Sequence, residues 1–310
     1  MYHVQRAEAI ELGAAPGLEG RAQGLRRATL VGRDVGAVHT GFALVTLDPG
    51  GWVGTHVHST EQSFYILRGN PLFTLDGRTY RLAPDECGLI PVGVPHSWRA
   101  AEGEEPPLFL EMNAPAPRLP GAKQPDTFWL GEAAADGPAE SPDIRDPRSR
   151  QFFRLGEGQM NVDNLKVGMQ VNAPTVSASM ATALLAYSGV AVKMLVDSRL
   201  GAVLHTMFMV EYQPGAVIHP HDHPLEETYY ILHGEVEAMA NNEEPFVLKA
   251  GDVFWTGVGC THAFENTTNT TVRWLETQSP QPPANHSYRH DRDWDYLAEK
   301  LEEGRNDVSR

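Results

Sequence analysis

The sequence predicts an all-β fold of two tandem sandwiches or barrels, and three observations carry that prediction. Short β-type runs fill two regions, from about Thr29 to Glu111 and from about Val192 to Glu276, separated by Gly, Pro and Asp turns. The second region repeats the first at a nearly constant shift. The composition, with 41% hydrophobic and 21% charged residues, is that of a globular chain, and no apolar run is long enough for a membrane-spanning helix.

Taken in order, the opening stretch MYHVQRAEAIELG lacks the basic start and apolar block of a signal peptide. A first barrel is expected over residues 22–117. Residues 118–187 read as a linker: the part up to about Arg150 is rich in Pro, Ala, Asp and Glu, and TVSASMATALLAYSG (175–189), free of breakers and closed by Gly189, predicts one helix. A second barrel is expected over 188–290. The tail, 291–310, predicts a last helix at DWDYLAEKLEEG, stopped by Gly304. The two cysteines, Cys87 and Cys260, give no disulfide framework, so the expected compartment is the cytoplasm. A net charge of -15 argues against a nucleic-acid surface. The expected partners are a small-molecule substrate and further copies of the chain, because barrels of this kind leave sheet edges to be covered. No nucleic acid or membrane is expected.

The repeat is specific. GAVHTGFALVTLDPGG from Gly36 resembles GAVLHTMFMVEYQPGA from Gly201. The shift carries Gly50 onto Gly215, His56 onto His221, His58 onto His223, Gln62 onto Glu227 and Gly69 onto Gly234. One residue more carries His96 onto His262.

The stretch HPHDHPLEET, 219–228, holds His219, His221 and His223 at alternate positions, followed by Glu226 and Glu227. On a strand, alternate side chains share a face, so three imidazoles could meet at one point. The repeat selects among them. His221 and His223 have histidine counterparts, whereas His219 falls on Gly54. Glu227 keeps its spacing to Gly234, which leaves Glu226 as the spare acid.

Both halves resemble cupins, and the chain as a whole resembles a bicupin. The first cupin motif is matched in the second half by Gly215, His221, His223, Glu227 and Gly234. The second motif is matched by Gly251, Gly257 in place of the usual Pro, Gly259, His262 and Asn266. The resemblance implies two double-stranded β-helix (jelly-roll) barrels. It also implies a metal site at His221, His223, Glu227 and His262, the last from a strand distant in sequence. In the first half it implies a weaker site at His56, His58, Gln62 and His96, because Gln62 stands where a carboxylate is usual. Asp85 and Ala100 replace the motif's Gly and Asn there. A slip that brought in Glu61 instead would turn the strand over.

Three imidazoles and a carboxylate suit a divalent transition metal: Mn, Fe, Ni, Co, Cu or Zn. Such an ion would keep open positions for a Lewis-acid or oxygen-activating role. The expected function is a metal-dependent, dioxygenase-type oxidoreductase acting on a small anionic or aromatic substrate. The alternatives are a hydrolase or lyase like the ureidoglycine aminohydrolases, and a non-catalytic ligand-binding bicupin. The ligand that retains charge predicts that the second site dominates. No catalytic side chain beyond the ligands is legible. Arg273 is a candidate carboxylate partner.

Overall fold

The computed structural model describes residues 1–15, 18–119, 125–131, 138–143, 146–156, 158–161, 189–281 and 289–290. Two jelly-roll barrels are built from strands, and the helical content of these residues is three short 3-10 turns. The two helices expected from the sequence, at 175–189 and near the C-terminus, fall almost wholly outside the described residues. No described helix is long and apolar enough to cross a membrane.

The second barrel consists of a six-stranded and a five-stranded sheet. In the first barrel one strand, Gly41–His58, runs through both walls, so its strands join into an eleven-stranded sheet. That strand turns its corner at Asp48-Pro49-Gly50-Gly51, and Gly50 has φ 72°. The repeat is visible in the backbone. Gly50 and Gly215, Gly69 and Gly234, and Gly93 and Gly259 are all left-handed, in matched pairs. Asp85, with φ 68°, sits where the other half has Gly251 at 89°. A short polar side chain tolerates this region, and the Asp85 carboxylate is held by the Tyr65 hydroxyl at 2.7 Å.

Alternation along the strands sorts side chains into two kinds of core. In the first barrel, Phe64, Phe73, Trp98 and Phe109 fill the interior. In the second, Tyr229, Phe254, Phe264 and Trp274 do so. A third cluster joins the barrels back to back: Leu30, Phe42, Leu44 and Met112 from one, and Leu195, Met207, Met209 and Leu275 from the other. Each such side chain contributes about 1.5–3 kcal/mol on burial, so this shared core binds the two halves into one body.

Reciprocal contacts reinforce that union. The strand Tyr2–Gln5, ahead of the first barrel, pairs antiparallel with Val253–Thr256 of the second. The strand Phe152–Arg154, ahead of the second barrel, pairs with Glu86–Ile90 of the first. The Glu226 carboxylate accepts the backbone N–H groups of Val38, His39 and Thr40 at 2.9–3.0 Å. Glu61 accepts those of Val203, Leu204 and His205 at 2.9–3.2 Å. Burial opposes charge on Glu61, but His205 and these backbone donors prevail and lower its pKa. The two acids without a motif role are thus the clamps between barrels.

Candidate metal centres

Each barrel gathers three histidines from two neighbouring strands, with His223 one residue past the end of Val217–Asp222. His56 and His58 lie on Gly41–His58, and His56 pairs in register with His96 on His96–Arg99. His221 pairs likewise with His262. In each triad, ligand nitrogens of the three rings lie within 4.8 Å of one another.

The rings are oriented by their outer nitrogens. Nδ1 of His56 faces the Gly54 carbonyl at 2.7 Å, and that of His96 faces Val94 at 3.0 Å. His221, His223 and His262 face the carbonyls of His219, Leu225 and Cys260 at 2.9, 3.0 and 2.9 Å. A carbonyl only accepts, so Nδ1 carries a proton in all five and Nε2 is the nitrogen turned to the barrel axis. His58 is the exception in partner: its Nδ1 meets the Thr127 hydroxyl at 3.0 Å. Thr127 belongs to Thr127–Trp129, a strand that returns from the linker and pairs along His56–His58. Trp129 on the same strand packs its ring 5.0 Å from that of His56. In the second barrel, Arg289–His290 pairs with the matching strand at His221 and Asp222.

In the first barrel all three histidines are held neutral. Burial lowers the pKa of His56. Burial, then the neighbouring His96, His56 and Arg27, sets His58 well below its usual value. His96 falls to about 3, from burial and the nearby His56. Neutral imidazole is the form that coordinates metal. Gln62 lies in the interior at 3% exposure, as expected for the ligand position, while Glu61 points to the other barrel. Gln62 Oε1 and His96 Nε2 are both buried and hydrogen-bonded to nothing among the described residues. Each such orphan costs about 1–3 kcal/mol. An amide oxygen and an imidazole nitrogen left without partners are both metal donors, so the residues fit a metal.

The second centre is tighter and charged. Glu227 Oε2 lies 2.8 Å from His223 Nε2 and 3.3 Å from His262 Nε2. Burial opposes charge on Glu227, but His223 and His262 outweigh it and hold the carboxyl well below its usual range. Burial also opposes charge on His223, but Glu227 raises its pKa. Gln278 donates to Glu227 Oε1 at 2.5 Å, which turns Oε2 toward the histidines. The Tyr229 hydroxyl contacts Glu227 Oε2 and lies 2.9 Å from His262 Nε2. Glu276, buried beside them, is pushed well above the carboxylate range by burial and by the Glu227 charge. It accepts the Trp274 indole N–H at 2.9 Å.

The pocket walls differ where the repeat differs. Arg27 on Ala22–Val31 pairs in register with Val45, an interior residue, and so faces into the first barrel. Its Nε is 3.4 Å from Glu111. Burial raises the Glu111 pKa, and Arg27 partly offsets this. The register partner of Val210 in the second barrel is Val192, so that barrel has an aliphatic side chain where the first has a guanidinium.

Of the residues singled out in the sequence, Arg273 is corrected, and the others take the following places. His219, which the repeat sets aside, is exposed, and its carbonyl faces His221 Nδ1. Arg273 faces outward, pairing with Glu211 at 2.5 Å. Asp85 is a turn residue. Cys260 is buried against Asn241, its thiol pKa raised by burial. Sequence reasoning missed Arg27, Glu111, Thr127, Trp129, Tyr229 and Gln278. Part of that signal was in the repeat: Phe64 against Tyr229 and Asn113 against Gln278 are differences at interior positions.

Comparison with known proteins agrees with this architecture. A family model for the cupin domain matches residues 43–112 and 208–277. A polyketide synthase CurC of Streptomyces cyaneus is 28% identical over 112 residues, which is 36% of this chain and 67% of that protein. An oxalate-binding protein of Thermotoga maritima is 43% identical over 63 residues, 20% of this chain and 51% of that protein, so the chain spans about half of it. Oxalate decarboxylase from Bacillus subtilis superposes with a TM-score of 0.58 at 17% identity, covering 94% of this chain and 78% of that one. Salicylate 1,2-dioxygenase from Pseudoaminobacter salicylatoxidans, with gentisate, does so at 0.66 and 13%, covering 90% and 81%. At such identities the likeness is one of fold. With a cupin domain matched in each half and a jelly-roll barrel built from each, the chain carries two cupin domains, the arrangement of a bicupin.

Proposed function

We propose that this bicupin is a metal-dependent enzyme acting on a small carboxylate, with a dioxygenase-type oxidation as the leading reaction. The ligands proposed are His221, His223, Glu227 and His262 in the second barrel, and His56, His58, Gln62 and His96 in the first. The observation that carries the substrate class is Arg27. Its positive charge is felt at His58, whose pKa it helps lower, and its guanidinium makes long 3.4 Å contacts to Glu111 and Thr29. Arg presents a planar fork that matches a carboxylate. The neutral ligands and Arg27 leave the first pocket cationic once a divalent ion is bound, whereas the second keeps Glu227. The named ligands of the similar proteins, oxalate, salicylate and gentisate, are all carboxylates.

A bound transition metal would supply Lewis acidity and, if redox-active, a path for electrons to dioxygen. The chain's own residues do the rest. Arg27 fixes the carboxylate. Glu111 fixes Arg27. Trp129 walls the site over His56, and the Nδ1 contacts lock the rings. Glu111 also favours a second reading, decarboxylation, in which the carbon that loses CO2 takes a proton, because a carboxyl whose pKa is raised is a proton source.

Metal-loaded protein should be assayed with oxalate, salicylate and gentisate for oxygen uptake and CO2 release together. Oxygen uptake in step with substrate loss supports the oxidation, while CO2 without net oxygen uptake supports the lyase. Arg27→Ala should lower kcat/KM by about ten- to a hundredfold. Unchanged kcat/KM in that variant would refute the carboxylate anchor.

A further inference from the structure

We infer that Tyr229 is a fifth protein ligand of the second metal centre, with its phenol oxygen bound directly to the ion. The inference rests on the proposed reading of that barrel as a metal site and adds a donor that the cupin motif does not include.

The geometry is that of a coordination shell. Donors bound at about 2.1 Å to one ion, the usual length for N and O ligands, sit about 3.0–3.4 Å apart in octahedral or tetrahedral arrangements. Glu227 Oε2 is 2.8 Å from His223 Nε2 and 3.3 Å from His262 Nε2. The Tyr229 oxygen is 2.9 Å from His262 Nε2 and in contact with the same Glu227 oxygen. It therefore stands on the same side of Glu227 as the imidazole donors. It does not stand behind Glu227, where a purely orienting partner would sit. That place is taken by Gln278, which holds the opposite carboxylate oxygen, Oε1, at 2.5 Å.

The strand explains how the tyrosine arrives there. Tyr229 is two residues beyond Glu227 on Glu226–His233, so both side chains point into the barrel. Its ring is clamped by Phe254 at 5.3 Å and Phe264 at 4.9 Å. At 1% exposure the hydroxyl is positioned by packing and shielded from bulk water. The matching residue of the first barrel is Phe64, clamped by Phe73 and Trp98 at 5.0 Å each. The first centre thus has three imidazoles and a neutral amide. The second has three imidazoles, a carboxylate and a phenol, which releases its proton to solvent when the ion binds. Two anionic oxygen donors favour a harder, more highly charged ion, so the second barrel stabilises the ferric over the ferrous state more than the first does.

The test uses the full-length chain with His56→Ala and His96→Ala, so that only the second barrel loads, reconstituted with iron and exposed to air. Iron content and the visible spectrum are read on the same sample, with and without Tyr229→Phe. Phenylalanine at this place is the arrangement of the first barrel, so the variant keeps a packing the fold already accommodates. The expected result is one iron per chain in both proteins, with a phenolate-to-iron(III) charge-transfer band that is present with Tyr229 and absent without it. Iron bound with no such band, or a band that survives Tyr229→Phe, overturns ligation by Tyr229 and leaves the second barrel as a metal site. Failure to take up iron in either protein overturns the reading of that barrel together with the inference.

Discussion

Two residues one repeat apart, Gln62 and Glu227, set the contrast between the centres, and exchanging them tests it. Glu227→Gln should lower metal occupancy in the second barrel, and Gln62→Glu should raise it in the first, both read as metal per chain after dialysis. The opposite order would mean that charge does not govern affinity here. Thr127→Val removes the partner of His58 Nδ1 and should weaken metal binding in the first barrel by about 10–100-fold, with the second unaffected, as measured by chelator competition. The centres should also differ in pH response. In the metal-free second barrel, Glu227 stabilises the fold above its usual 4.5, and that contribution is lost as pH falls through its lowered folded value. His223 stabilises below 6.5, and its contribution is lost as pH rises through its raised folded value. Metal must expel the His223 proton, so binding there should release a proton and weaken as pH drops below that raised value. In the first barrel the lowered histidines carry no such proton near neutrality, and its affinity should be flatter over the same range. Calorimetric titration in buffers of different ionisation enthalpy, on variants with one barrel emptied, separates the two. The eight motif residues were legible because their spacing is fixed by strand geometry. Arg27 and Tyr229 were not, because their relevance depends on which strand face turns inward.

At the scale of elements, the clamps are the sharpest test. Glu226→Ala strips three backbone N–H groups at the barrel interface of their acceptor and should cost about 2–4 kcal/mol, seen as a lowered denaturation midpoint. Glu226→Gln, which keeps an acceptor, should cost less. Equal stability of the alanine variant and the parent would show that the cradle carries no weight. The strands of both barrels could be read from alternation and turn residues, and the shift between copies gave their correspondence. The roles of Glu61 and Glu226 could not be read, because each is one residue from a ligand position and its partners lie on the other barrel. Thr127–Trp129 and Phe152–Arg154 are equally opaque in sequence. Both are short, the first within a Pro- and Ala-rich stretch and the second just after it, and they become strands only because a sheet edge is available to pair with them.

For the whole molecule, the shared apolar core and the crossed strands predict a single cooperative unfolding transition, with calorimetric and van't Hoff enthalpies in agreement. Two resolved transitions would mean that the barrels fold as independent units. Chelation should lower the midpoint without unfolding the chain at room temperature, since each barrel has its own core and the metal is not the core. The crossed strands also impose an order on the molecule's history. Residues 2–5 leave the ribosome long before the edge they cover, Val253–Thr256. The first barrel can close on Phe152–Arg154 as it emerges, while the second waits for an arm already synthesised to swing across. Until it does, two adhesive edges are exposed at once. At high concentration the arm of one nascent or refolding chain can satisfy the barrel of another, so slow refolding should yield interlocked pairs that dilution alone does not separate.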